Sequence, residues 1–305
     1  MLYFSHIPIM DKEGEYMATK KTATSAKKAP AKKSAAAATK TTTKVTTVTA
    51  SAAKTPSSTK KGFNFSRSPL LAASIAEFIG TFMLAAIVLA TNGSSVAVFF
   101  GVIAIVIAIG AVSGAHINPA ITIGAWATRR IDGIRAVSYL IAQILGAMAA
   151  LVILSGFVSA APETTQSSQM AMFGQASAPE LFKLGEIAKD KQWLFLAAEL
   201  IGAALFAFGV ASVLGREKNR AATALGVSGA LFIGLTVTAY LTGVVSGSTS
   251  GAGPAVLNPA VATALQGFSD FSSAWPIMVW AVAPAIGGVL GFGLRDLIRE
   301  ESEEK

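Results

Sequence analysis

The chain has 305 residues, is 52% hydrophobic and only 14% charged, and its mean hydropathy is +0.57. Soluble domains carry about 25% charged residues, so this composition argues against an ordinary soluble enzyme and for a polytopic membrane protein. The absence of cysteine excludes disulfides, thiolate metal sites and Cys nucleophiles, and two histidines, His6 and His116, offer no multi-histidine metal centre. The net charge of +8 belongs to one end: residues 1–66 contribute +9 and the remainder −1.

Residues 17–62 are Lys, Ala, Thr and Ser with scattered Pro and have no periodic apolar face. Such a segment cannot bury enough surface to offset its ordering entropy, so 1–66 reads as a disordered cytoplasmic tail. Met17 opens "MATKKTATSAKK" and reads as an alternative start. The lysines suit a solvated arm near anionic lipid. Nucleic-acid binding is the sharper alternative, but no aromatic or folded reader accompanies them.

From Pro69 onward, six runs approach or exceed the roughly 20 apolar residues needed to cross a bilayer. They cover 69–91, 96–112, 136–157, 193–214, 222–245 and 274–294. Arg129, Arg130 and Arg135 lie between runs two and three; Arg216, Lys218 and Arg220 lie between runs four and five; Arg295 and Arg299 follow run six. With the lysine tail, all four groups share one side if both termini are cytoplasmic, as the positive-inside rule requires. The polar 158–192 connection then lies outside, and 298–305 is a short charged tail.

The body, 67–297, repeats itself over about 69–157 and 193–294. "AEFIGTF" (76–82) is echoed by "AELIGAA" (198–204), and "INPAITIGAW" (117–126) by "LNPAVATALQ" (257–266). Each half runs span, span, Asn-Pro-Ala segment, span. Three spans is an odd number, so the second half enters from the opposite side, an inverted repeat. Asn118 and Asn258 suit a helix N-cap, and Pro119 and Pro259 suit the first helical position. The apolar stretches that follow, 120–128 and 260–268, are too short to span. They read as re-entrant half-helices, tolerated at membrane depth only where protein or a water-filled cavity surrounds them. Their N-termini, with Ala120 and Ala260 next in sequence, would meet near the midplane, presenting free N–H groups and partial positive charge.

One Asn-Pro-Ala is an ordinary capped helix start; two, each after the second span of a three-span repeat, are specific. On these motifs the body resembles the aquaporin and glycerol-facilitator family, the major intrinsic proteins. "SGAHINPA" (113–120), "SYLIAQILGA" (138–147) and "VWAVAPAIGGVLG" (279–291) extend the resemblance over about 69–297. It implies an all-α membrane protein of six transmembrane helices plus two re-entrant half-helices. The implied function is passive conduction of water through a pore at the Asn-Pro-Ala residues, with facilitation of glycerol or other small neutral solutes (ammonia, peroxide) as the alternative. It also implies a homotetramer in the inner or plasma membrane, in contact with lipid, with no cofactor, metal or enzymatic chemistry.

Glu77 and Glu199 are intramembrane acids at equivalent repeat positions. Either they relay protons or, as the resemblance implies, they hold the unwound loops, with His116 and Gln143 as further braces. Departures from the family concern the outer filter. The usual arginine after the second motif is Val261, and the usual fifth-span histidine is missing. Counting back from Asn118 places the second-span filter position at Val98, or at Phe99 or Phe100 after a small shift. Ala255 takes the outer-loop position, and Thr242 and Ser246 are the fifth-span candidates. Loss of Arg and His predicts a wider, more apolar constriction with loosened selectivity. In another class, a membrane scaffold whose tail recruits nucleic acid or anionic lipid remains an alternative.

Overall fold

A computed structural model describes residues 68–161, 181–214, 219–249, 251–269 and 272–298. All described residues belong to one compact unit within Phe63–Lys305. The tail 1–66 and residues 299–305 lie outside the described residues, as do Arg216, Lys218 and most of the outer connection.

The regular elements of the described residues are helical. The first half contains α1 (Pro69–Ala90), α2 (Ser95–Ser113), α3 (Pro119–Ala127) and α4 (Gly133–Ser159). The second contains α5 (Gln192–Leu214), α6 (Arg220–Ser246), α7 (Pro259–Ala264) and α8 (Trp275–Leu297). Six of them, all but α3 and α7, have 19 to 27 residues and are long and apolar enough to cross a membrane. Even α2, at 19 residues, reaches about 28 Å, close to the thickness of a hydrocarbon core.

Local chemistry sets the ends. Prolines occupy the first position of α1, α3 and α7, where a missing N–H costs nothing. Asp132 caps α4 through the Arg135 N–H, and Asn219 caps α6. Gly114 (φ 89°) and Gly247 (φ 66°) close α2 and α6 in the left-handed region. Within α8, a π-helical segment at Met278–Val282 precedes Pro284, whose missing N–H leaves the α-helical ladder one donor short.

The two short helices end alike. Arg130 N–H donates to Ala125 O and Arg129 N–H to Trp126 O; Gly267 N–H donates to Ala262 O and Gln266 N–H to Thr263 O. Arg129 (φ 61°) and Gln266 (φ 57°) take the left-handed position that glycine usually fills. The second stop arrives early, so the apolar stretch expected to be helical over 260–268 is helical only to Ala264.

Contacts at the helix ends establish the inversion. Arg130, past the end of α3, pairs with Asp296 at the end of α8. At the other face, Phe182 N–H donates to Leu89 O of α1, Leu184 N–H to Leu265 O after α7, and Lys191 Nζ to Val245 O of α6. The half-helices therefore run toward opposite faces, and their N-termini lie between.

Close packing depends on glycine at matched positions. A Cβ on Gly146 of α4 would stand 2.3 Å from Phe78 O of α1; on Gly287 of α8 it would stand 2.6 Å from Leu200 O of α5. Gly288 is tighter still, with a Cβ placed 2.2 Å from Ala120 O, the backbone of the first half-helix. Small residues let backbones approach where the hydrophobic effect between spans is weak. Gly288→Val should destabilise the detergent-solubilised protein by at least the 1–3 kcal/mol of overpacking, about. Gly293→Ala, where a Cβ meets nothing within 4 Å, should leave the melting temperature unchanged; equal melting of both variants would contradict the packing.

Candidate functional site

Each half-helix begins with an asparagine whose backbone is still extended (Asn118 φ −158°, Asn258 φ −145°). Its side-chain oxygen accepts the first free N–H groups: Ala120 N at 2.8 Å for Asn118, and Ala260 N at 3.0 Å and Val261 N at 3.3 Å for Asn258. Capping fixes the amide rotamer and turns the NH₂ toward the other half. Asn118 Nδ2 donates to Leu257 O, and Asn258 Nδ2 donates to Ile117 O, both at 2.9 Å. Each asparagine thus takes the carbonyl immediately before the other. Of the two protons on each NH₂, this crossed pair uses one.

The residues before the asparagines are strained. Ala115, Ile117 and Leu257 have φ of 52°, 42° and 56°, and a β-branched residue at positive φ is an outlier. Two carboxylates hold them. Glu77 accepts His116 N–H at 2.9 Å and Ile117 N–H at 2.6 Å; Glu199 accepts Val256 N–H and Leu257 N–H, both at 2.8 Å. Both acids are fully buried. Ile117 and Leu257 pack in turn against Gly80 and Gly202, three residues beyond each acid, where a Cβ would come within 2.7 and 2.8 Å of them.

Around Glu77 the bracing continues through side chains. Gln143 Nε2 donates to Glu77 Oε2 at 2.7 Å and reaches Thr122 Oγ1 at 3.0 Å. His116 Nδ1 lies 3.2 Å from Thr122 Oγ1, and its ring meets Tyr139 edge-on. The second half lacks this set: the repeat places Val256, Ala262 and Pro284 where the first has His116, Thr122 and Gln143. There the grip comes from α6, whose Thr242 Oγ1 donates to Pro254 O at 2.8 Å and whose Ala239 O accepts Gly253 N–H.

Two small cavities flank the asparagines. One, of about 10 Å³, is lined by both Asn118 and Asn258, His116, Ile121, Phe206 and Val210 and extends toward Leu214 at the end of α5. The other, of about 20 Å³, touches Asn258 and extends toward Gly93 beyond α1. Leu84, Leu231 and Asn258 border both, so the cavities lie in line through the molecule. Each has room for about one water.

Of the filter candidates, Val98, Ala255 and Val261 line the second cavity. Phe100 does not: it is 64% exposed on the outer flank of α2, against Phe99. Thr242 is fully buried, its hydroxyl spent on Thr238 O and Pro254 O, and Ser246 Oγ donates back to Thr242 O. The fifth span instead presents Leu235, with Leu231 and Val227 one and two turns away on the same stripe. Leu84, Leu231 and Leu235 line that second cavity, so its surroundings are apolar and its volume is about 20 Å³. The lining residues that sequence reasoning missed follow the repeat: Leu84 and Phe206 come seven residues after the two glutamates, Val88 and Val210 eleven after. This 7/11 spacing keeps them on the glutamate's helix face.

These features define a multi-pass helical membrane protein built as an inverted repeat around a narrow central passage. The model of the family described as "Major intrinsic protein" matches residues 64–292, and the chain belongs to that family, one of transporters. It is 32% identical over 225 residues (71% of this chain, 93% of the relative) to "Glycerol uptake facilitator protein-like 6" of Lactiplantibacillus plantarum. It is 28% identical over 247 residues (71% and 92%) to "Aquaporin AqpM" of Methanothermobacter marburgensis. The fold is similar to that of the aquaglyceroporin from Plasmodium falciparum, with a TM-score of 0.50 at 19% identity over 75% of this chain and 96% of that one.

Replacing Glu199 with Gln leaves one buried N–H facing an NH₂ group. It should cost about 1–3 kcal/mol, the penalty of an unsatisfied buried donor. Glu77→Gln should cost at least as much, because it too leaves one loop N–H facing an NH₂ group and forces Gln143 to turn. Thermal unfolding of the two purified variants checks the order, and the reverse order would count against the assignment of braces.

Proposed function

We propose that the chain is a passive, bidirectional channel for water and small neutral solutes, with its narrowest polar point at Asn118 and Asn258. The supporting observation is the crossed asparagine pair at the junction of two water-sized cavities. The second NH₂ proton of each asparagine is the donor offered to a molecule in transit, and loop carbonyls are the acceptors. No charged side chain lines either cavity. An ion would shed its hydration without compensation, a cost far above that of a neutral molecule. The paired half-helix N-termini add a positive potential against cations.

The outer constriction of Val98, Leu235, Ala255 and Val261 has no side-chain hydrogen-bonding group. Water crosses it with few partners, and a polyol would leave several hydroxyls unpaired in a space of about 20 Å³. This favours water over glycerol. The glycerol reading keeps one supporting observation, the named glycerol-facilitator relative at 32% identity. Glu77 and Glu199 act as braces and not as a proton relay, because both oxygens of each are engaged by loop N–H groups. A homotetramer in the inner or plasma membrane, both termini cytoplasmic, completes the proposal.

Stopped-flow light scattering of proteoliposomes, with water and glycerol gradients on one preparation, tests it. Asn258→Leu should lower water permeability roughly tenfold, the loss of a hydrogen bond at the narrowest point; unchanged flux in a folded variant would sink the role. Val261→Arg should lower the glycerol-to-water ratio, and an unaltered ratio would place size selection elsewhere.

A further inference from the structure

The passage leaves one polar cluster unused. Where α3 hands over to α4, Trp126, Arg129, Arg130, Asp132 and Arg135 surround an open pocket of about 470 Å³. Its cations are not equivalent. Arg130 pairs with Asp296 and lies 5.1 Å over the Phe292 ring, so it serves the α3–α8 contact. Arg129 is exposed and is in no ion pair among the described residues. Its backbone closes α3, whose carbonyl end already favours a cation. Arg135 rises from the first turn of α4, where Asp132 is occupied in capping. The Arg135 N–H holds the Asp132 carboxyl below the usual carboxylate range, so it is ionised. Three arginines and two aspartates leave a net charge of +1. The Trp126 indole, half exposed, has its Nε1 over Gly133 and no acceptor among the described residues.

The surroundings are apolar and outward-facing. Ile134 is 73% exposed and Val137 57%, one turn further along α4 on the flank that begins the span. A soluble partner would have to cover these side chains; lipid acyl chains do so without further structure. Positive charge, an unpaired indole N–H and an apolar flank at a span's end are the chemistry of an anionic headgroup above its own tails.

We propose that this pocket binds the phosphodiester headgroup of an anionic phospholipid. Arg129 and Arg135 contact the phosphate, Trp126 donates from its Nε1, and the acyl chains run along Ile134 and Val137. Asp132 opposes the phosphate, and the net charge of +1 suits a singly charged headgroup such as phosphatidylglycerol over a polyphosphorylated one. The pocket opens away from the passage, although Arg135 also reaches Tyr139, whose ring packs on the His116 of the passage wall; the proposal does not rest on what the channel conducts.

Native mass spectrometry of the full chain, with defined mixtures of phosphatidylglycerol and phosphatidylcholine, tests the site. The unmodified chain should retain phosphatidylglycerol preferentially. The preference should fall roughly thirtyfold in R129Q/R135Q, given about 1 kcal/mol for each basic residue at an anionic surface. W126F, which keeps the ring and removes the donor, should give a smaller loss. Unchanged retention in folded R129Q/R135Q would overturn the proposal. Displacement of the lipid by millimolar inorganic phosphate would also overturn it, by showing a free-anion site.

Discussion

A peptide group inside a membrane has no water to turn to, and this fold contains two stretches of unwound backbone that must find partners within the protein. That constraint explains the most unusual residues in the chain. A buried carboxylate costs several kcal/mol, about, unless its oxygens are filled; an interrupted loop leaves N–H groups that cost about 1–3 kcal/mol each if unfilled. Glu77 and Glu199 cancel both liabilities at once, each taking two consecutive loop N–H groups. With the N–H groups pulled toward the helices, the strained turns at Ile117 and Leu257 offer their carbonyls to the opposite asparagine. Neither half is complete alone: each supplies the acceptor that orients the other's NH₂.

Two halves that share one plan do not use identical parts. His116, Thr122, Gln143 and Tyr139 surround the first loop with hydroxyl, amide and ring contacts, whereas the second has Val256, Ala262 and Pro284 at the corresponding places. Proline cannot take a glutamine's role, and its missing N–H coincides with the π-helical segment of α8. The second loop compensates by leaning on α6 through Thr242 and Gly253. The longer approach to Asn258 is what allows this: residues 251–253 lie back against α6, where the four residues 114–117 have no slack.

Much of this was legible in the sequence, because the signals were local. Six apolar runs, the Asn-Pro pairs and the paired glutamates each carry a short-range meaning, and their repetition fixed the inversion. Filter geometry was less accessible. Thr242 and Ser246 attract attention as polar residues near the expected height, but a hydroxyl in an apolar helix readily bonds a carbonyl four residues back, as both do here. Leu235 carries no such mark. Its place emerges only from the stripe Val227, Leu231 and Leu235, and a stripe of leucines looks the same whether it faces a passage, a core or lipid. Phe100 failed for a related reason: counting back from Asn118 across a loop carries an uncertainty of one or two residues, and one residue turns a helical side chain by about 100°.

The same limits bear on how selectivity should be understood. Removing an arginine and a histidine from a filter suggests a larger opening only if nothing takes their volume. Here Leu84, Leu231 and Leu235 line the cavity beside Val261, so in the proposed passage leucine side chains stand where polar groups would otherwise be. On the proposed reading, an apolar constriction of this size would discriminate by the number of hydrogen bonds a solute must surrender. In the proposed passage the two asparagine protons then matter more, since they are the nearest directed donors beyond the constriction. If the chain conducts as proposed, the burden of orienting a passing molecule falls on the crossed pair, and through it on the two buried glutamates that hold the turns in place.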